Sequence, residues 1–368
     1  MSSADRACYL HDIATAVPPE FAELPQTLAY LRQFIPGERA LPRVRRILEA
    51  AGVRKRHFAA LRLQADRPEA ERLYPPFSTA PDGPTTEQRL AHFDDLAVPL
   101  IDDLLAQLPR DIWSDIRRLI TVNCTSAASP GLERLILRGR PIHRRADRWN
   151  IGFMGCSAGL AGLRLTRQLQ PMADHADAAA LIVALELSSL HVQYSERVDQ
   201  IVANALFADG AAAAVVSPRP GPVRVVDCQC VTLDKCADQM TWTAGNHGFA
   251  LQLSIELPAT LAAAIRPAMS EFLGDNGLNI ADVAHWAIHP GGPKIIESVC
   301  AALGLSPDVA AASRTILADY GNMSSATIFF ILRRLLDSGA AGPIVAVAFG
   351  PGLTIELALL DVSRSNLR

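Results

Sequence analysis

The sequence lacks an excess of charge of either sign. Among its 368 residues, 35 Lys and Arg stand against 38 Asp and Glu, so the formal net charge is 35 − 38 = −3. No segment concentrates basic residues as a phosphate-binding surface requires, and we therefore expect no nucleic acid partner. Hydrophobic residues make up 49% of the chain, which excludes a disordered protein.

Long apolar runs are also missing. No window supplies the roughly 20 apolar residues that a membrane-spanning helix needs. The first 20 residues carry charges and lack the continuous apolar stretch of a secretory signal. The most apolar stretches, 178–185 and 344–349, are short and predict buried strands. We expect no membrane span and a location in the cytoplasm.

The cysteines do not form a disulfide pattern. Seven of them are scattered through a large chain, which favours reduced thiols. Cys228, Cys230 and Cys236 superficially resemble a group of metal ligands. Zinc sites usually contain CxxC-type pairs with further ligands, and no second pair follows here. We expect no metal site.

What the sequence does contain is an alternation of strand and helix patterns. Strands are predicted at 8–18, 118–125, 179–187, 211–216, 223–233, 284–289, 344–348 and 354–360. Helices are predicted at 41–51, 157–169, 201–209, 257–273, 294–303 and 322–336, and a helical period also follows a helix-start signal at 85–87. Such alternation predicts an α/β protein with layered sheets.

A Pro- and Gly-rich segment at 217–222 is the best domain boundary. It divides the chain into halves at 1–217 and 223–368. Each half has one polar or reactive residue that opens an apolar helix, Cys156 in the first and Asn322 in the second. This weak internal similarity suggests duplication of one unit.

Cys156 is the first candidate for chemistry. It lies in the sequence Gly-Cys-Ser-Ala-Gly, directly before an apolar helix. Backbone N–H groups at a helix start favour negative charge, so they lower the pKa of a thiol and can bind an oxyanion. A buried structural cysteine at a corner between helix and strand is the alternative that position alone leaves open.

Three further features could contribute to a site. His289 ends an apolar strand and begins a Pro-Gly-Gly-Pro turn, where it could pair with a thiolate or simply cap the strand. Asn322 could donate to a substrate oxygen or act as a plain helix N-cap. The turn with Gly350 and Gly352 could let the backbone approach a ligand, or it could merely join two strands.

Five segments, taken together and in this order, resemble the type III polyketide synthase family, which includes the chalcone and stilbene synthases. The segments are 155–159, 205–212, 289–293, 320–325 and 349–352. The segment 186–191 is more similar to bacterial members than to plant ones. The resemblance implies the thiolase fold, with two similar α-β-α-β-α halves, and we expect a homodimer.

The resemblance also implies a reaction. Cys156 would take a starter acyl group from an acyl-CoA, and His289 would form an ion pair with the Cys156 thiolate. His289 and Asn322 would donate to the thioester oxygen of malonyl-CoA, which stabilises the enolate formed on decarboxylation. The enolate would attack the acyl-cysteine, and the product would cyclise to a pyrone, resorcinol or related aromatic ring. Coenzyme A thioesters would be substrates, with no tightly bound cofactor.

Other positions follow from the same resemblance. Phe207 matches a gatekeeper between a coenzyme A tunnel and the cavity. Arg43 and Arg46 lie where the family places basic residues for the phosphates of coenzyme A, although a solvated helix face would look the same. Gly350 and Gly352 are assigned to the same cofactor-binding region.

The cavity departs from the plant pattern. Leu251 stands in place of a second gatekeeper Phe, Trp242 in place of a small Gly, and Cys124 and His191 in place of Thr residues. The predicted cavity wall consists of Cys124, Ser188, His191, Phe207, Trp242, Leu251 and Ser324. Large side chains there would shorten the cavity and limit chain extension.

Two other functions remain open at this point. A ketoacyl synthase that initiates fatty-acid synthesis has the same fold and the same three catalytic residue types, but takes malonyl from a carrier protein. The His-Pro-Gly-Gly-Pro and Gly-Pro-Gly sequences favour the polyketide interpretation. A non-catalytic thiolase-fold protein that binds acyl-CoA is the second alternative.

Overall fold

The computed structural model describes residues 8–64, 68, 71–169 and 178–363. The strands are β1 (Tyr9–Ala16), β2 (Phe21–Glu23), β3 (Lys55–His57), β4 (Ile116–Val122), β5 (Asp147–Ile151), β6 (Ala179–Leu187), β7 (Asp209–Ser217), β8 (Val223–Thr232), β9 (Met240–Gly245), β10 (Gly248–Leu253), β11 (His285–Ile288), β12 (Gly342–Gly350) and β13 (Thr354–Val362). The helices are α1 (Leu24–Arg32), α2 (Leu41–Ala50), α3 (Thr86–Leu90), α4 (Phe93–Ala106), α5 (Glu133–Ile136), α6 (Ala158–Leu169), α7 (Val198–Leu206), α8 (Leu257–Asp275), α9 (Pro293–Leu303), α10 (Ala311–Tyr320) and α11 (Thr327–Asp337).

Nine strands form one sheet in the order β11-β12-β13-β8-β1-β7-β6-β4-β5. The pairing pattern occurs twice. In β4, β6, β7 and β1 a parallel pair is followed by two antiparallel pairs, and β11, β12, β13 and β8 repeat that sequence. The two parts meet where β1 pairs with β8. The alternation of predicted strands and helices is confirmed as a mixed α/β fold.

Three apolar clusters show the layering. Alternate residues of the buried strands face opposite sides, as the two-residue period of a strand requires. In β6, Leu181 and Val183 face the cluster around α4, whereas Ile182 and Ala184 face the cluster that contains α6 and α11. The third cluster joins α8 and α9 to the far side of β12 and β13. Helices α6 and α11 therefore form a central layer between the two parts of the sheet.

The central layer positions the candidate residues. Cys156 lies in a 3₁₀ turn that runs directly into α6, and Asn322 comes shortly before α11. Both helices are largely buried because apolar residues cover most of their surface. As a result, the starts of two helices from different ends of the chain meet inside the protein.

Several predicted elements differ from the structure. The helix after 85–87 starts as expected, with a capping box between Thr85 and Gln88, but it breaks at 91–92 into α3 and α4. Strand β5 was not predicted, because this edge strand is exposed along most of its length and lacks apolar alternation. The hairpin of β9 and β10 was also missed.

None of the helices in the described ranges is long and apolar enough to cross a membrane.

Candidate active site

Cys156 lies in the turn Gly155–Ser157, where only 8% of the residue is exposed. Gly155 has a φ of +61°, and a Cβ there would lie 2.7 Å from Cδ of Pro351. Only glycine therefore allows the turn after β12 to pack on this loop. Burial raises the pKa of the Cys156 thiol to about 11, although hydrogen bonds from Ser324 and Asn322 act in the opposite direction. The lowering of the thiol pKa that is expected at a helix start is thus outweighed by the loss of water around the thiolate.

Asn322 presents its amide to this sulfur. Both ends of the amide lie near the sulfur, with Nδ2 3.8 Å and Oδ1 3.9 Å from Cys156 Sγ. The Oδ1 also accepts the backbone N–H of Ser324 at 2.8 Å, which leaves Nδ2 as the donor available to a thiolate or a substrate oxygen. The backbone of Asn322 is also fixed, since it bonds to Leu206 and Ala208 on either side of Phe207. Asn322 therefore caps the following turn through its oxygen and offers its nitrogen to the cavity.

His289 lies at the same edge of the sheet. It follows β11, and its backbone N–H donates to Val347 on β12, close to the turn that carries Pro351. Its side chain is 1% exposed, and neither ring nitrogen has a hydrogen-bond partner in the described part of the chain. Burial lowers the pKa of His289 to about 3. Burial therefore favours the neutral imidazole, and the pairing of His289 with the Cys156 thiolate stays a prediction.

A buried carboxyl group, that of Glu186, lies beside Cys124 and Cys156. Glu186, at the end of β6, accepts hydrogen bonds from the backbone of Cys124 at 3.0 Å and from the hydroxyls of Thr125 and Ser325. Burial raises its pKa to about 7. Sequence reasoning missed this residue, although a single carboxylate in the apolar run Ala179–Leu187 was a usable signal.

A cavity of about 50 Å³ adjoins the thiol. The side chains and turns around it come from both halves of the chain. Six of the seven residues predicted for the cavity wall line it, and they are joined there by Cys156 and Asn322 of the predicted catalytic set. The six are Cys124, Ser188, Phe207, Trp242, Leu251 and Ser324. The cavity is small because the hairpin of β9 and β10 covers it, with Trp242 directly opposite Leu251 in the register.

Trp242 is fixed in this wall. Its Nε1 donates to the carbonyl oxygen of Cys124 at 2.7 Å. Its ring lies edge-on to His191 and Phe249 and 6.4 Å from the ring of Phe207. Trp242 is half-buried, and its indole, held by this hydrogen bond and by its ring contacts, forms a fixed partition.

His191 lies behind this wall and does not line the cavity at the thiol. Its Nδ1 accepts the N–H of Phe249 and its Nε2 donates to the carbonyl of Thr125, so both nitrogens are occupied. Burial lowers its pKa to about 3. His191 therefore acts as a neutral connector in this wall.

The residues assigned to coenzyme A lie further out. Arg43 and Arg46 are exposed on α2; Arg43 donates to the carbonyl of Glu196, and Arg46 makes no bond to a described residue. Gly350 lies against Ser157, where a side chain would collide, and Gly352 is in the turn between β12 and β13. Their role in cofactor binding stays a prediction.

Cys228 and Cys230 are two of the three cysteines that resemble metal ligands in the sequence. Both lie on β8, where they are opposite Ala358 and Glu356. No group of three or more metal-ligating side chains occurs among the residues that the structure describes.

Comparison with known proteins identifies the family. A model of the chalcone and stilbene synthase C-terminal domain matches residues 229–363, and a model of FAE1/type III polyketide synthase-like proteins matches 69–268. The α-pyrone synthesis polyketide synthase-like protein Pks18 of Mycobacterium tuberculosis is 34% identical over 295 residues, which cover 76% of this chain and 74% of the relative. The 1,3,6,8-tetrahydroxynaphthalene synthase of Streptomyces coelicolor is 29% identical and covers 94% of this chain and 90% of its own.

Solved structures agree. Polyketide synthase PKS-I of the brown alga Ectocarpus siliculosus superposes with a TM-score of 0.88 at 29% identity, covering 97% of this chain and 98% of the other. The crystal structure of the Streptomyces coelicolor synthase gives a TM-score of 0.81, also at 29% identity, with 96% of this chain and 99% of that chain covered. The layered sheet is therefore a thiolase-like fold, and the protein is an acyltransferase. The chain belongs to the type III polyketide synthase family.

Proposed function

We propose that Cys156 carries the growing acyl chain of this synthase. The observation that carries the proposal is the position of the buried thiol, which opens α6 in a cavity and faces the Nδ2 group of Asn322 at 3.8 Å. In the loading step the sulfur attacks the carbonyl of an acyl-CoA, the new C–S bond forms, and the coenzyme A thiol leaves.

His289 is the proposed base for loading. A thiol with a pKa of about 11 is a poor nucleophile at neutral pH, so it needs a partner that accepts its proton. His289 is buried at the same sheet edge and has no competing hydrogen bond to a described residue. Burial disfavours the thiolate alone and the imidazolium alone, so the proposed transfer of the proton from Cys156 to His289 depends on the attraction between the two charges formed together. The protonated imidazole would then have a donor for the substrate.

Extension uses malonyl-CoA in this proposal. The Nδ2 of Asn322 and the protonated His289 donate to the thioester oxygen, which bears the negative charge when the C–C bond to the carboxylate breaks and CO₂ leaves. The enolate carbon then attacks the acyl-Cys156 thioester, a C–C bond forms, and the cysteine sulfur is released. Arg43, Arg46, Gly350 and Gly352 are proposed to bind the coenzyme A portion.

The products are proposed to be short. A cavity of about 50 Å³ is far below the roughly 300 Å³ at which ligand pockets usually begin. Two relatives are named for α-pyrone synthesis and for a tetrahydroxynaphthalene, both ring compounds. We therefore expect a small starter, few extensions and closure to a pyrone, resorcinol or related ring.

A homodimer is proposed as the working form. Strand β5 is the outer strand of the nine-stranded sheet, and its Trp149 is 42% exposed. Phe153 nearby is equally exposed and lines a surface depression of about 290 Å³. An uncovered strand edge with aromatic residues is a surface on which a second copy can pair.

The seven cysteines are all free thiols, which supports the proposed location in the reducing cytoplasm.

The test is a product assay. Purified protein is incubated with malonyl-CoA and acyl-CoAs of graded length, and in a parallel arm with carrier-bound malonyl, and products are identified by mass spectrometry. We expect carbon–carbon bonded products from malonyl-CoA that disappear in Cys156→Ala. Absence of such products, or equal yields from the variant, would contradict the proposal. A requirement for carrier-bound malonyl would favour the ketoacyl synthase alternative.

A further inference from the structure

The inner edge of the covering hairpin is not paired with another strand. Strand β10 pairs with β9 on one side only. On the other side its backbone groups bond to three side chains, which take the place of a neighbouring strand. The bonds run from the N–H of Phe249 to Nδ1 of His191, from Nε2 of Gln193 to the carbonyl of Phe249, and from Nε2 of Gln200 to the carbonyl of Leu251.

The two glutamines are well placed to hold this edge. Gln200 is 5% exposed and lies on α7, the helix that ends at Phe207, so its bond joins two walls of the cavity. Nε2 of Gln193 lies 2.9 Å from the carbonyl of His191 and 3.2 Å from the carbonyls of Phe249 on β10 and of His247 in the turn before it, so this amide ties the hairpin to the segment of His191. A buried carbonyl that loses its donor costs free energy, so these amide donors stabilise β10 in its present position.

A second cavity lies behind the wall. It measures about 20 Å³, and Gln193 and Gln200 line it together with Trp242 and Leu251. Trp242 and Leu251 also line the cavity at Cys156. A small outward movement of β10 would therefore join the two spaces and lengthen the room available to an acyl chain.

We propose that Gln193 and Gln200 are positioning residues that set the height of the hairpin above Cys156 and so determine which acyl chain lengths the enzyme accepts. The proposal rests on the proposed function, because it assumes that the acyl group is bound to Cys156. Neither glutamine touches the sulfur; each acts through the backbone of β10.

The test compares Gln200→Met and Gln193→Met with Gln252→Met. Methionine keeps the size of the side chain but cannot donate to a carbonyl. Gln252 is a matched control because it lies on the same strand with its side chain exposed. Acyl transfer from CoA thioesters of graded length to Cys156 is followed by intact mass, and hydrogen exchange of 240–253 reports the hairpin.

In both site variants we expect the ratio of long-chain to short-chain loading rates to rise about tenfold, the low end of what one further methylene in an apolar pocket is worth. Hairpin amides should exchange roughly two- to tenfold faster, as expected for the loss of one hydrogen bond. The Gln252→Met control should match the wild type in both measurements.

The outcomes separate the two proposals. A wild-type protein that takes no acyl group at Cys156 overturns the proposed function and this inference with it. A wild type that loads, with both variants folded and retaining its chain-length ratio, overturns this inference alone. If Gln200→Met fails to fold, Gln193→Met decides by the same ratio.

Discussion

At the scale of single residues, burial sets the protonation of the site. The pKa of Cys156 is raised to about 11, that of Glu186 is raised to about 7, and that of His289 is lowered to about 3, each mainly because the charged form loses water. The site without substrate is therefore poor in charge. Charge must form during the reaction, where His289 and Asn322 can stabilise it.

Glu186 gives a stability prediction. Because its pKa rises from 4.5 to about 7 on folding, the folded protein keeps a proton that the unfolded chain releases between these values. The stabilisation is complete below pH 4.5 and is lost as the pH rises through about 7. Between pH 5 and 8 the wild type should lose roughly 2 to 3 kcal/mol of unfolding free energy relative to Glu186→Gln.

Urea unfolding of both proteins at pH 5 and pH 8 measures this difference. Asp209, whose pKa is also raised to about 7, is present in both proteins, so its contribution cancels. Parallel pH dependences of the two proteins would show that Glu186 does not titrate in this way.

His289 gives a prediction about reactivity. The pKa of about 11 for Cys156 results mainly from burial and includes no contribution from an ion pair with His289. In His289→Gln no imidazolium can form beside the thiol, so Cys156 should keep this pKa, whereas the proposed ion pair should lower it in the wild type. The rate at which iodoacetamide alkylates Cys156 should then rise about tenfold per pH unit up to the highest pH tested, since the thiolate is the nucleophile. The wild type should reach its plateau at a lower pH. Superimposable profiles would mean that His289 does not pair with Cys156.

At the scale of elements, the hairpin of β9 and β10 decides the shape of the site. It is outside the main sheet and is held over the cavity by side chains. Its sequence gives no clear alternation, and the residues that bind it come from distant segments. The resemblance placed Trp242 and Leu251 on the cavity wall, but only the folded chain reveals that they are register partners on neighbouring strands of one hairpin.

Trp242→Gly should enlarge the site. Removing the indole opens the partition between the cavities of about 50 and 20 Å³, so longer intermediates should fit before they cyclise. We expect products with more extension units, measured by mass spectrometry. Trp242→Phe is the matched control, because it keeps most of the ring and should retain products close to those of the wild type. Unchanged products from Trp242→Gly would mean that this wall does not limit chain length.

At the scale of the whole molecule, much of the architecture was readable from the sequence. Alternating patterns predict the α/β class. The short motifs around Cys156, His289 and Asn322 predict which helix starts and which strand end form the site. Edge strand β5 was not readable, because an exposed strand needs no apolar face. The protonation of Cys156, Glu186 and His289 in the absence of substrate could not be predicted either, since it depends on burial by segments far apart in the chain. The division of the chain at 217–222 stays a prediction.

The exposed edge gives a prediction about assembly. Trp149→Lys places a charge on β5, and edge lysines discourage strand pairing. We expect the variant to sediment as a monomer at concentrations where the wild type is a dimer. Phe21→Lys is the control, since Phe21 is 52% exposed on the small sheet of β2 and β3. A variant that stays dimeric, or a wild type that is monomeric, would contradict the proposed interface.

The acyl-enzyme itself tests the central claim most directly. The wild type is mixed with one acyl-CoA, its intact mass is recorded, and the modified peptide is located; malonyl-CoA is then added. The account predicts a mass increase of one acyl group on Cys156 and its discharge by malonyl-CoA. No adduct, an adduct on another residue, or an adduct that malonyl-CoA leaves untouched would contradict it.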